Sequence, residues 1–357
     1  MKRAFFLILS CIFVICGIYS SSFLPGDSTH LIEKKYSGWT GVIRIWASDD
    51  CMASGILSAC ASIYEKAHPG IYVNVRQVPG EAISSYLTTG INPPDIIVYH
   101  SSVSPDPAGL ESITAAYPLR QGIVPGAHSV PILLHPSFFI YNTSVLDVLP
   151  GDMYVIPVAC APGDLNALTA LCTGLRSSGA QQQTLPGVDI GLTGESHTET
   201  APAGDIPCRM GSNLTLTDDP AAAYRKGDAV AFVGRAGDAI KFSGNSAAAV
   251  TGEYAFTDSA VMLSIIKKDD SRLGACMEYL DIIMNEGQYL AARAQAFPAV
   301  TGVSAWSGDP LLAPAEAALE SRTWILGASG SSDAAHLYIE EKLTADEAMK
   351  RIIAGYR

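Results

Sequence analysis

Short hydroxyls and carboxylates gather directly after apolar runs in this chain. Ser48, Asp49 and Asp50 follow Val42–Ala47, Gly80 and Glu81 follow Ile71–Val78, and His100, Ser101 and Ser102 follow Asp95–Tyr99. Further on, Gly234 and Arg235 follow Ala229–Val233. Oxygens held in pairs suit bidentate hydrogen bonding to a polyhydroxylated solute. A guanidinium adds a planar fork for a hydroxyl pair or a carboxylate. Plainer roles compete: Ser48 and Asp49 as helix caps, Arg235 in a surface or inter-lobe ion pair. Tyr99, Tyr254, Phe297 and Trp306 offer faces for stacking, although such residues more often fill cores. The resulting candidate ligand-binding set is Ser48, Asp49, Asp50, Glu81, His100, Ser101, Arg235, Tyr254 and Trp306.

Other chemistries find less support. No G-x-S-x-G elbow, phosphate-binding loop or G-x-G-x-x-G occurs. Glu195, His197 and Glu199 alternate along a polar stretch and could clasp a metal from one strand face, but such a trio is usually solvated. His68, His100, His128 and His135 lack ligand spacing. Asp49 with Glu81 makes a carboxylate pair of the kind a glycosidase uses, a minor alternative. No catalytic residue, metal or cofactor is expected.

The elements that must position these residues follow from periodicity. Val42–Ala47 is a short apolar run, as in a strand buried on both faces. Ile56, Leu57, Cys60, Ile63, Tyr64 and Ala67 recur at helical spacing, and Pro69-Gly70 ends that helix. Ile71–Val78 is strand again, which makes a β-α-β unit with a right-handed crossover. A third strand at Asp95–Tyr99 extends the alternation to an open α/β sheet. In such sheets ligands sit beyond the carboxyl ends of strands, which is where the polar residues above fall. Val130–Tyr141 reads as one long apolar segment, and Asp258–Lys267 as another. Helices are expected near Leu165–Leu175, Pro220–Lys226, Leu273–Met284 and Glu286–Ala296, with strands at Val188–Leu192 and Asp228–Gly234. Thr344 and Glu347 have capping-box spacing at the start of a last helix.

Composition sets the frame. The chain has 357 residues, is 48% hydrophobic and carries a net charge of −12. That is enough for two domains, and the charge disfavours nucleic acid and anionic lipid as partners. Residues 1–22 open with Lys2 and Arg3, followed by an uncharged run from Ala4 to Tyr19. This reads as a signal peptide or membrane anchor, and it is short for a span of ~20 residues. Cys11 and Cys16 raise a lipid anchor, although neither has the small-residue surroundings for it. Residues 23–40 read as a polar tether.

Export would permit disulfides. Cys51 and Cys60, placed on one expected helix, would lie ~13 Å apart at ~1.5 Å per residue, beyond bridging reach. Buried free thiols are the default reading, with Cys160, Cys172 and Cys208 as the place for an exception.

The order of words along the chain resembles the extracellular solute-binding proteins, family 1, of bacterial ABC importers. The resemblance rests on Val42–Ala47, the Tyr64–Gly70 helix exit, Ile71–Val75, Pro94–Val98 and Phe138–Asn142. Tyr224–Gly234, Gly287–Tyr289 before Phe297-Pro298, and Leu343–Ala348 extend it to residues 40–357. It implies a two-lobed type II periplasmic-binding-protein-like α/β fold with hinge crossover strands. Lobe 1 would comprise 41–140 plus 260–357, with the C-terminal helices partly shared, and lobe 2 would comprise 141–259. The implied function is a non-enzymatic receptor for a small polar solute, a sugar first. Its implied partners are permease and ATPase subunits, it acts as a monomer, and it sits outside the cytoplasmic membrane or in the periplasm. A surface module that senses ligand or builds structure without transport is the alternative. The second lobe is short for the family, and no Trp lies between Trp46 and Trp306.

Overall fold

The computed structural model describes residues 39–83, 93–103, 105–114, 116–147, 156–173, 213–242, 244–327, 332–340 and 342–355. The segments 1–22 and 23–38, the Glu195–Glu199 trio, the Val188–Leu192 strand and Cys208 lie outside the described residues.

The first β-α-β unit forms as the periodicity predicts. Strand β1 (Gly41–Ser48) leads to helix α1 (Ser54–Ala67) and returns as β2 (Ile71–Val78), parallel to β1 in unbroken register. Helix α1 buries Ile56, Leu57, Cys60, Ala61 and Tyr64. Ile63 of the expected stripe is instead 40% exposed, since its position turns past the edge of the buried arc. Strand β3 (Ile96–His100) joins β1 on its other side. Just before β3, Asp95 is 0% exposed. Its carboxylate accepts from the Arg44 backbone (2.8 Å) and the Arg272 guanidinium (2.7 Å), with Lys268 Nζ at 3.4 Å.

Val130–Tyr141 proves to be two strands. Strand β4 (Val130–Leu134) belongs to the first sheet and β5 (Phe138–Asn142) to a second. Pro136, with no N–H to give, interrupts the ladder. His135 and Ser137 on either side donate to Ser259 and Phe256 carbonyls instead. The switch between sheets thus falls at 135–137, ahead of the boundary after residue 140 expected from sequence.

The second sheet runs β7-β6-β8-β5-β9, with β6 (Val158–Cys160), β7 (Leu214–Leu216), β8 (Ala231–Gly234) and β9 (Ser246–Ala249). Strands β6, β7 and β8 are parallel, and β5 is antiparallel to β8 and β9. Helix α2 (Leu165–Leu171) is buried at every residue, while α3 (Pro220–Lys226) and α4 (Ala236–Lys241) flank β8. The chain then forms β10 (Tyr254–Thr257) and, after two residues, β11 (Ala260–Ile265). Strand β11 is fully buried and antiparallel between β3 and β4. The first sheet therefore runs β12-β4-β11-β3-β1-β2, with the short β12 (Phe297–Pro298) at one edge.

Helix α5 (Asp270–Asn285) packs on α1, where Tyr279 Oη donates to Leu57 O at 2.7 Å. The expected helix at 286–296 is a 3-10 helix, Gly287–Ala294. Helix α6 (Ala313–Glu320) leads to β13 (Thr323–Leu326), which pairs with β10. Helices α7 (Asp333–Ile339) and α8 (Ala345–Gly355) then pack on α2. Tyr338, Met349 and Ile352 share a core with Leu168 and Leu171, so these helices join the second sheet's layer rather than the first's. The capping box forms: Glu347 N donates to Thr344 Oγ1 (3.2 Å) and Thr344 N to Glu347 Oε2 (3.0 Å).

Cys51, Cys60, Cys160, Cys172 and Cys276 are buried free thiols. Cys51 lies in a 3-10 turn before α1 rather than on it. No helix among the described residues is long and apolar enough to cross a membrane.

Candidate functional site

A hollow of about 760 Å³ opens at the carboxyl ends of β1, β2 and β3. Asp49, Asp50, Pro79, Gly80, Glu81, Ser102 and Val103 line it. Its back wall is built by close approach. Ser48 ends β1 with 1% exposure, and its Oγ donates to Asp50 Oδ1. A Cβ at Gly80 would lie 2.8 Å from that Oγ and 3.3 Å from Asp50 Oδ2, so only glycine lets the two loops meet. Helix α1 begins at Ser54, and Ala53 before it supplies no side-chain cap. Ser48 is thus a buried orienter of Asp50, neither a helix cap nor a group facing the hollow. Asp49, Asp50 and Glu81 are exposed.

The second hollow, about 340 Å³, opens where the parallel strands β6, β7 and β8 end. Asp164 follows β6, Asp218 and Asp219 follow β7, and Gly234 and Arg235 follow β8, all lining it with Ser137, Phe232 and Asp238. Asp219 caps α3 through Ala222 N (2.8 Å), and Asp238 accepts from Arg235 N (3.2 Å). The Arg235 guanidinium donates to Asp258 Oδ1 at 2.6 Å and stands 3.9 Å from Asp164 Oδ1. Its side chain is still 37% exposed. Burial pushes the Asp164 carboxyl up; Arg235 pulls it back, and Asp258 and Asp238 add to the rise.

Between the hollows runs the two-residue link Asp258-Ser259. Ser101 Oγ donates to Asp258 O (3.2 Å) and accepts from Ala260 N (3.1 Å). His100 Nε2 meets Ser259 Oγ at 2.6 Å, and its Nδ1 meets Ser102 Oγ at 2.8 Å. Thr257 Oγ1 donates to His135 O or Ser259 O, both at 3.0 Å. Burial lowers the pKa of His135, which sits against Ser259 O and Ala294 O. His100 and Ser101 therefore hold the link, while their neighbours Ser102 and Val103 line the first hollow.

The aromatic candidates lie elsewhere. Trp306 is 5% exposed, donates from Nε1 to Ala296 O (2.9 Å) and packs on Phe297. Tyr99 is buried with its hydroxyl on Ser264 Oγ. Tyr254 is half-buried on β10 and lines neither hollow. Among the described residues no group of three or more His, Cys, Asp or Glu could hold a metal ion.

Solved structures share this fold. A cyclo/maltodextrin-binding protein complexed with maltotetraose matches with a TM-score of 0.59 at 14% identity, over 89% of this chain and 98% of its own. This is the two-lobed periplasmic-binding-protein fold. The galacto-N-biose/lacto-N-biose I-binding protein of an ABC transporter from Bifidobacterium longum matches at 0.56, with 14% identity, over 89% and 96%. The cyclic alpha-maltosyl-1,6-maltose binding protein from Arthrobacter globiformis gives 0.55, with 11% identity, over 88% and 98%. No protein-family model and no curated protein matches the chain. The chain passes from the first sheet to the second at 135–137, and from the two-stranded β10–β13 pair into the first sheet at 257–259.

Asp164, Asp218, Asp219 and Asp258 escaped the sequence reading. Strands β6 and β7 have three residues each, too few to show a period, so their ends could not be located.

Proposed function

We propose that the protein is an extracellular receptor that captures a polyhydroxylated solute, a carbohydrate first, between its two lobes. The observation that carries this reading is the pair of carboxylate-lined hollows at the strand ends of both sheets, flanking one two-residue link. Carboxylate oxygens accept from hydroxyl pairs, and Arg235 donates to them. Asp49, Asp50, Glu81 and Ser102 form the first wall in this reading, with Asp164 and Arg235 in the second. Tyr254 and Trp306 take no part. Lobe closure by hinge motion at 135–137 and 257–259 presents the filled form to the permease and ATPase subunits of an ABC importer. The protein acts as a monomer without chemical turnover, held outside the membrane by residues 1–22 and the tether at 23–40. Sugar-binding proteins among the structural neighbours favour this class of solute.

The test is a thermal-shift screen with maltotetraose, lacto-N-biose, polyols, amino acids and inorganic phosphate. A solute at a hundredfold excess over its Kd stabilises by ~2.7 kcal/mol. A screen in which only amino acids or phosphate shift the melting point rejects the carbohydrate class. A screen in which nothing does rejects the receptor in favour of a surface module without transport.

A further inference from the structure

Asp258 bridges Arg235, which lines the second hollow, and Ser101, next to Ser102 of the first. Thr257 ends β10 and Ala260 begins β11, so Asp258 and Ser259 alone join them. Asp258 is 7% exposed, and its two ends are held from opposite sides. Its carboxylate takes the Arg235 guanidinium at 2.6 Å, from the exit of β8 in the second sheet. Its carbonyl takes the Ser101 hydroxyl at 3.2 Å, from the exit of β3 in the first sheet. Ser101 also holds Ala260 through both backbone directions, Ser101 N to Ala260 O and Ala260 N to Ser101 Oγ.

We propose that Asp258 is a positioning residue: it fixes the Arg235 guanidinium in the second hollow and ties that side chain to the first lobe. This rests on the receptor reading and deepens it. The guanidinium has five N–H groups in a rigid fork. Committing Nη2 to a buried carboxylate fixes the guanidinium plane; Asp164 stands 3.9 Å from that same nitrogen, and the remaining N–H groups are left for a solute. Without Asp258, Asp164 is the carboxylate placed to draw the guanidinium, from its present 3.9 Å. Because the link is two residues long, a tilt of the second hollow against the first sheet cannot be absorbed by slack. It must alter the Arg235–Asp258 contact or the Ser101–Asp258 contact. A solute that draws on Arg235 therefore acts on the hinge directly.

The experiment uses the full chain with D258N, R235A and the double variant. D258N keeps the shape and removes the charge. Arg235→Met keeps the stem and serves if D258N does not fold. Deuterium exchange of the ligand-free protein should show the amide of Ala260 exchanging about tenfold faster or more in both single variants, the scale of one charged hydrogen bond. Amides inside β11 should keep their rates. Unchanged exchange at Ala260 in the single variants overturns the linkage, as does a uniform rise along β11, which marks general destabilisation. Titration with maltotetraose should show R235A and D258N each weakening affinity about 10- to 100-fold. The double variant should be no weaker than R235A. Losses that multiply in the double variant overturn the positioning role. If the unaltered protein binds no solute of the screen, the receptor reading falls and the exchange measurement still decides the linkage; if another solute binds, it replaces maltotetraose in the titration.

Discussion

Trp306 separates two kinds of role most cleanly. An exposed tryptophan at a cleft would stack on a sugar ring, whereas this one is 5% exposed against Phe297 with its Nε1–H on Ala296 O. A buried tryptophan removes ~150–250 Å² from water. At ~25 cal/mol per Å² that is ~4–6 kcal/mol, an upper bound because the unfolded chain hides part of it. Measured truncations of buried aromatic side chains to Ala cost ~3–5 kcal/mol, and the hydrogen bond to Ala296 adds ~1 kcal/mol. Trp306→Ala should therefore lose ~4–6 kcal/mol. At a urea slope of ~3 kcal/mol per M the midpoint falls by ~1.3–2 M. Trp306→Phe keeps most of the packing and should lose only ~1–2 kcal/mol, mainly from the orphaned carbonyl. Urea denaturation followed by circular dichroism reads both. Affinity for any solute found in the screen should stay within about threefold in Trp306→Phe, a change of under ~0.7 kcal/mol. A Phe variant with intact stability and lost affinity would refute the core assignment and return Trp306 to the cleft.

Other expectations follow from the same packing. Asp95→Ala strips the carboxylate that faces Arg44, Lys268 and Arg272, and breaking a buried pair this way should cost ~3–5 kcal/mol in urea titration; a loss below ~1 kcal/mol contradicts the buried-charge reading. Burial pushes the Cys60 and Cys276 thiols up to about 12, so the native protein at pH 8 should resist iodoacetamide while urea-unfolded protein reacts at once. Fast labelling of native Cys60 would count against its burial. The Asp164 carboxyl is raised from 3.8, first by burial, so the folded state holds this proton more tightly than the unfolded chain. Its contribution to stability therefore falls as pH rises through the window above 3.8. Asp164→Asn should flatten the stability profile there, and a steeper profile in the variant would reverse the sign argument.

Much of the first lobe was legible because its elements are long and periodic. Strands β1 and β2 have eight residues each and α1 has fourteen, so apolar spacing and the Pro69-Gly70 stop suffice to place them. Asp49, Asp50 and Glu81 then follow from the strand-end rule alone. In the second lobe β6 and β7 have three residues each, and the carboxylates lining the hollow at their ends stayed hidden with them. Long-range partners were out of reach for a different reason. Nothing local distinguishes Arg235 open to solvent from Arg235 bonded to Asp258, 23 residues away. Ser48 and Trp306 were misplaced for the same cause: residue type fixes what a side chain can do, while burial by distant segments decides what it does. Pro136 is the exception that could have been used, since a missing N–H in mid-run is a local sign of a ladder break.

The place of β11 in the first sheet sets an order of assembly. Strands β3 and β4 are never direct neighbours; each pairs with β11 between them. Until residue 265 has joined, the N-terminal half of that sheet ends in a bare apolar edge at β3, and β4 has no first-sheet neighbour at all, since β12 comes later still. The second lobe waits too, because the buried face of α2 is covered by helices at 333–355. The second lobe's α2 stays uncovered on a chain cut before 333, and the first sheet cannot close on a chain cut before residue 265. Such a chain leaves unpaired strand edges exposed to other molecules, and its slow step is the closure of long loops rather than the formation of any local element. Deleting the last helix should therefore expose the buried face of α2 and destabilise the second lobe, while the strand pairing of the first sheet survives.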